Sequence, residues 1–202
     1  MIGLDDADVR ALGERGYLVR DGFSGARAAA AARAAALAFA EAEGLWPAGL
    51  SRGAGYRLER ERRGDEIAWL TPEQAPAGLT PLLERFEALR LGLNRTAYLG
   101  LARFDLQLAR YPAGARYVRH LDAFPGGPSR RLTATYYLNA GWRPEDGGLL
   151  RLHLPEGPFD LEPVLDRLVV FLSDRVEHEV LPARAPRWAV TAWYYGREDL
   201  PP

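Results

Sequence analysis

The sequence contains no cysteine, which removes disulfide frameworks, thiolate metal sites, iron–sulfur clusters and cysteine nucleophiles together. Any metal must be held by His, Asp or Glu. Lysine is missing as well, so all 26 basic residues are arginine, and Schiff-base and Walker-type lysine chemistry are excluded. A charge excess is also lacking: 26 basic against 27 acidic residues leave a formal −1, so no overall field draws the chain to nucleic acid or to an anionic membrane. No apolar run reaches the roughly 18 residues that suggest a membrane-crossing helix. The opening MIGLDDADVR has neither a basic n-region nor an apolar h-region, and the expected location is the cytoplasm. Arginine in place of lysine, with abundant alanine, points to a GC-rich bacterial genome.

A length of 202 residues suits one domain and is too short for eight βα units, and 48% hydrophobic residues can form a core without disulfides or structural metal. The pattern divides the chain into helical and strand support over 1–50, a loop over 51–66, and a helix plus strand-rich core over 67–202. Asp5 to Arg15 reads as a short helix stopped by Gly16, followed by a strand in GYLVRDGF. Ser24 is expected to cap a long alanine-rich helix that Gly44 stops; alanine is barely apolar, so this helix is read as packed on a sheet rather than in a membrane. The Gly- and Arg-rich stretch from Trp46 to Gly64 reads as a long loop or irregular hairpin. Thr80-Pro81 starts a second long helix with Leu82, Leu83, Phe86, Leu89 and Leu93 on one face. From Phe104 onward the pattern is strands between Pro/Gly turns, which implies an antiparallel sandwich or barrel with helices on one side.

Three histidines are present: His120, His153 and His178. His120 and Asp122, two residues apart in YVRHLDAF, would share one face of a strand. With one distant histidine they would form the two-histidine, one-carboxylate set that leaves open positions on Fe(II). An H-x-D triplet alone is weak, and a lone histidine is more often a core residue. His153 reads as a half-buried strand residue. Nine residues after His178 comes Arg187, opening the strand RWAVTAWYYG on the same face as Ala189, Thr191 and Trp193. A guanidinium on an inner sheet face is costly unless a carboxylate meets it, from the chain or from a ligand. Thr133, Thr135 and Tyr137 on one strand, and Asp105, Gln107, Ala109 and Tyr111 on another, form similar polar faces; each alone equally describes a half-exposed sheet.

Over about residues 63–196, the blocks RGDEIAW, RYPAGARYVRHLD, TYYLN, GGLLRL, DRLVVFLSDRVEHEVLPA and RWAVTAWYYG resemble the Fe(II)- and 2-oxoglutarate-dependent prolyl hydroxylases, in particular the hypoxia-sensing enzymes and their bacterial relatives. The resemblance implies a mostly β protein: a double-stranded β-helix, a cupin-like jelly roll, with N-terminal supporting helices. It implies His120, Asp122 and His178 as catalytic iron ligands. Arg187 and Tyr137 would bind the far carboxylate of 2-oxoglutarate, with Tyr111, Leu150 and Thr191 beside the cosubstrate. Arg63, Asp65, Tyr117, Arg130 and Trp193 would contact substrate; an inserted residue between Asp122 and TYYLN leaves Ser129 and Arg131 as alternatives to Arg130.

The implied activity is hydroxylation of a prolyl residue in a protein or peptide, using Fe(II), 2-oxoglutarate and O2, with ascorbate as a supportive reductant, and releasing succinate and CO2. The loop from about Arg52 to Arg63 would be a lid over the peptide. The bacterial branch suggests an exposed proline on a translation factor, elongation factor Tu for example. No nucleic-acid or membrane partner is expected. Two alternatives stand beside this: a same-fold oxygenase acting on a small molecule such as free proline, and a non-catalytic binding module that retains the metal cage.

Overall fold

A computed structural model describes residues 4–50, 57–71, 73–123 and 130–197. Among these residues the chain order begins α1 (Asp6–Arg15), β1 (Tyr17–Arg20), α2 (Ala26–Glu43), β2 (Trp46–Pro47), β3 (Glu66–Leu70), α3 (Thr80–Thr96) and β4 (Leu101–Tyr111). Seven further strands follow: β5 (Tyr117–His120), β6 (Arg130–Tyr137), β7 (Leu150–Leu154), β8 (Gly157–Leu161), β9 (Leu168–Leu172), β10 (Glu177–Val180) and β11 (Arg187–Gly196). They form two antiparallel sheets, of order β1-β9-β6-β11-β4-β3-β2 and β5-β10-β7-β8. This two-sheet architecture is the jelly roll.

Alternation along the central strands gives each face of the large sheet a different task. Leu106, Leu108, Leu132, Ala134, Val190 and Tyr194 point to the helices and join Phe86, Leu89 and Leu93 of α3 in the main core. The other face looks toward the small sheet, and the site lies between them. Alanine lets α2 pack closely: Ala29, Ala32 and Ala36 are fully buried. Gly78, in the turn before α3, approaches so near that an added Cβ would stand 2.6 Å from Ala35 Cβ.

The start of α2 differs from expectation. Ser24 does not cap it; Gly25 occupies that position and makes no side-chain cap bond. Ser24 Oγ instead bonds Tyr136 Oη at 2.7 Å and Asp166 Oδ1 at 2.8 Å, and Asp166 Oδ2 accepts from Gly25 N at 2.9 Å. An acid 141 residues away in sequence takes over the anchoring, which local capping rules cannot foresee. The Trp46–Gly64 stretch is an irregular hairpin in its described parts, with β2 pairing β3 and a bridge between Leu50 and Arg57. The lid expected from Arg52 lies partly outside the described residues, as does Ser129.

Candidate active site

The small sheet supplies the two histidines. His178 on β10 stands directly opposite His120 on β5. Their Nδ1 atoms face the backbone carbonyls two residues earlier in the chain, Val118 O at 2.8 Å and Val176 O at 3.2 Å. A carbonyl can only accept, so Nδ1 carries the proton and Nε2 presents its lone pair inward. Strand parity does not place the carboxylate, however. β5 ends at His120, and Asp122 sits in the bend beyond it. Its Oδ2 is caught by the large sheet instead, accepting from Thr133 Oγ1 at 2.7 Å and Trp193 Nε1 at 3.0 Å.

The three groups each offer one ligand atom, all within 4.8 Å of one another. Asp122 Oδ1 lies 3.6 Å from His120 Nε2, and Oδ2 lies 3.7 Å from His178 Nε2. Burial, reinforced by His120, pushes His178 down to about 4, so its imidazole is neutral near pH 7. Burial would raise the Asp122 carboxyl, but the two histidines and Arg130 hold it well below the usual range. Neutral imidazoles and an ionised carboxylate are the states that bind a divalent cation.

A cleft joins this cluster to Arg187. Arg187 is 2% exposed, lies 5.0 Å from the ring centres of Tyr111 and Tyr137, and donates from Nε to Gly148 O at 2.8 Å. No carboxylate pairs with it among the described residues. Tyr137 Oη is buried with no hydrogen-bond partner, and burial raises its pKa, so the phenol keeps its proton. A buried cation without an anion, next to an unsatisfied hydroxyl, fits a ligand carboxylate. Leu150, Ala109 and Val180 give apolar walls, and Thr191 bonds Thr135 at 3.2 Å.

Of the expected substrate residues, Arg63, Tyr117 and Trp193 line the same cleft, while Asp65 and Arg130 contact residues of its lining. Arg63 forms two bonds to the buried Asp65, at 2.8 and 3.0 Å, and lies 4.7 Å from the Tyr117 ring centre. Tyr117 in turn stacks on His120 at 3.7 Å. Arg130 lies 3.9 Å over Trp193, with Nη1 3.6 Å from Asp122 Oδ1, whereas Arg131 donates to Leu99 O away from the cleft. His153 remains outside, bonded to Glu179 at 3.0 Å.

The 2OG-Fe(II) oxygenase superfamily pattern matches residues 106–195, and a Pseudomonas putida prolyl-4-hydroxylase superposes with a TM-score of 0.86, 39% identity and coverage of 95% of this chain and 98% of that one. The chain belongs to the 2OG-Fe(II) oxygenase superfamily. This oxygenase also superposes, with a TM-score of 0.86 and 29% identity over 95% of its length and 89% of the other, on a Trichoplax adhaerens prolyl hydroxylase in complex with a hypoxia-inducible-factor peptide. It is 40% identical over 151 residues to human prolyl hydroxylase EGLN3, covering 70% of its own chain and 62% of the relative's. It therefore spans less than two thirds of the length of that curated relative.

Several residues of the oxygenase site carry no role in the sequence reading. Thr133 and Gln107 stand on the polar strand faces noted there and needed only the sheet partners to be placed. Ser173, which bonds Thr133 at 2.8 Å, and Gly148 gave no local signal.

Proposed function

We propose that this oxygenase hydroxylates a prolyl residue in a protein or peptide, consuming 2-oxoglutarate and O2 and releasing succinate and CO2. The observation that carries the reading is one cleft holding both a metal-ready His-Asp-His cluster and a buried arginine that lacks a carboxylate. The similarity to prolyl hydroxylases from P. putida and T. adhaerens supports the choice of substrate class.

In this reading His120, Asp122 and His178 hold Fe(II). Bound Fe(II) supplies the oxidising chemistry, in which one atom of O2 enters succinate, the other enters the substrate C–H bond, and CO2 leaves. The chain's own residues place the reactants. Arg187 and Tyr137 receive the far carboxylate, Tyr111 flanks the guanidinium, and Leu150 packs against the methylenes while Thr191 lines the floor. Trp193 and Tyr117 line the cleft with aromatic carbon that suits an apolar pyrrolidine ring and keeps water away. Arg63, fixed by Asp65, and Arg130 offer donors to peptide carbonyls. We place the source in a bacterium and the first substrate to test in the translation machinery.

The test is incubation with Fe(II), ascorbate and 2-oxoglutarate, reading succinate and a +16 Da shift on prolyl peptides of a bacterial lysate. A His178→Ala variant should make neither product while remaining folded. Succinate with modified free proline but no modified peptide would move the assignment to a small-molecule oxygenase; no turnover at all would leave only a binding module.

A further inference from the structure

We propose that Gln107 is a cosubstrate-binding residue: it donates an Nε2–H to an oxygen of 2-oxoglutarate on the cleft floor, oriented by Arg63. The proposal rests on the functional reading above and deepens it. Gln107 is 3% exposed and lines the cleft. Its Oε1 lies 3.4 Å from Arg63 Nη2. A guanidinium can only donate, so the amide oxygen must be the atom turned to Arg63, and the amide nitrogen is turned away from it. That nitrogen has no partner among the described residues. Because Gln107 lines the cleft, that donor can meet an acceptor that enters it.

The sheet register says which ligand brings the acceptor. Thr191 on β11 pairs with Gln107 on β4 on one side and with Thr135 on β6 on the other, giving a polar row across the floor. The two threonine hydroxyls bond each other, and Gln107 adds an amide N–H donor to the row. Along β11 the row stands two residues from Trp193, whose indole holds Asp122, and four from Arg187, the carboxylate seat. A small diacid reaching from the metal cluster to Arg187 passes over it. Arg63 is itself fixed by two bonds to Asp65, so the amide is set in place before the ligand enters.

Calorimetric titration of the Mn(II)-loaded chain with 2-oxoglutarate tests this without turnover. Gln107→Leu, which removes the donor, should weaken 2-oxoglutarate binding about tenfold. Gln107→Glu keeps the bond to Arg63, and hence the fold, but faces the diacid with a negative charge and should weaken binding by more than tenfold. Mn(II) affinity and thermal midpoint of Gln107→Glu should match those of the unsubstituted chain. Unchanged 2-oxoglutarate affinity in both variants would overturn the assignment, as would a loss that merely follows lost Mn(II) binding or lost stability. If the unsubstituted chain binds Mn(II) but no 2-oxoglutarate, the functional reading itself fails.

Discussion

Trp193 donates its indole N–H to Asp122 Oδ2 at 3.0 Å, tying a carboxylate of the small-sheet side to the central strand of the large sheet. Thr133, the direct cross-strand partner of Trp193, donates to the same oxygen. The geometry of the His120–Asp122–His178 cluster thus depends on how the two sheets meet, and not on the His120–Asp122 segment alone.

Trp193→Phe keeps an aromatic ring under Arg130 but removes the N–H. Outer-shell bonds of this type are worth roughly 10- to 100-fold in metal affinity. Mn(II) titration should show a loss in that range with little change in thermal midpoint, and Thr133→Val should act in the same direction. Unaltered Mn(II) affinity in both would mean that Asp122 is oriented by its own bend.

At Arg187 function and stability should separate. Arg187→Lys retains charge but loses the planar fork, and 2-oxoglutarate affinity should fall tenfold or more, on the order of 1.4 kcal/mol or greater. Arg187→Met removes a buried cation that lacks a carboxylate, so the ligand-free protein should melt no lower than the unsubstituted one while binding no 2-oxoglutarate. A marked drop in melting temperature would show that the bond to Gly148 and the two tyrosine rings already satisfy the charge.

Gly148 carries the carbonyl that orients Arg187, and it does so with φ at +60°, where a side chain is strained. An added Cβ would meet Arg187 Cδ at 3.1 Å and both Ala183 Cβ and Trp142 Cζ2 at 3.2 Å. Gly148→Ala should therefore cost about 1–3 kcal/mol in urea unfolding and also weaken 2-oxoglutarate binding, leaving Mn(II) affinity in place. Equal losses of both ligands would point to general collapse of the cleft.

Asp166 should matter for stability alone. It holds Ser24, Gly25 and Tyr136 on the helix side of the large sheet, at φ +66°. Asp166→Ala strands several buried donors and should cost roughly 3 kcal/mol or more in urea unfolding, with metal and cosubstrate affinities of the folded fraction unchanged. A cost below about 1 kcal/mol would mean that water or neighbouring groups replace it.

The candidate ligands were legible in sequence because each carries its chemistry in its side chain and stands in a recognisable block: His120 and Asp122 in YVRHLDAF, His178 in VEHEVLPA, Arg187 opening RWAVTAWYYG. Strand parity also sorted Thr135, Tyr137, Gln107 and Tyr111 onto cavity-facing sides, since side chains alternate along any strand. What parity missed was Asp122, which reaches the cluster from a bend. The cap of α2 was missed for a related reason: Ser24 looks like a local cap, yet its hydroxyl is claimed by Asp166 across the fold.

From its sequence alone, then, the chain was committed to chemistry without thiols or lysine amines, to a strand-rich core with alanine and leucine helices, and to a donor set suited to a divalent metal. Those properties are local: side-chain type and hydrophobic period suffice. Only the tertiary structure decided that Trp193 and Thr133 would grip Asp122, that Gly148 would aim Arg187, and that Gln107 would set its amide oxygen against Arg63. Each of these depends on strands far apart in the chain coming into register, and hydrogen-bond geometry between such partners leaves no periodic trace in the sequence.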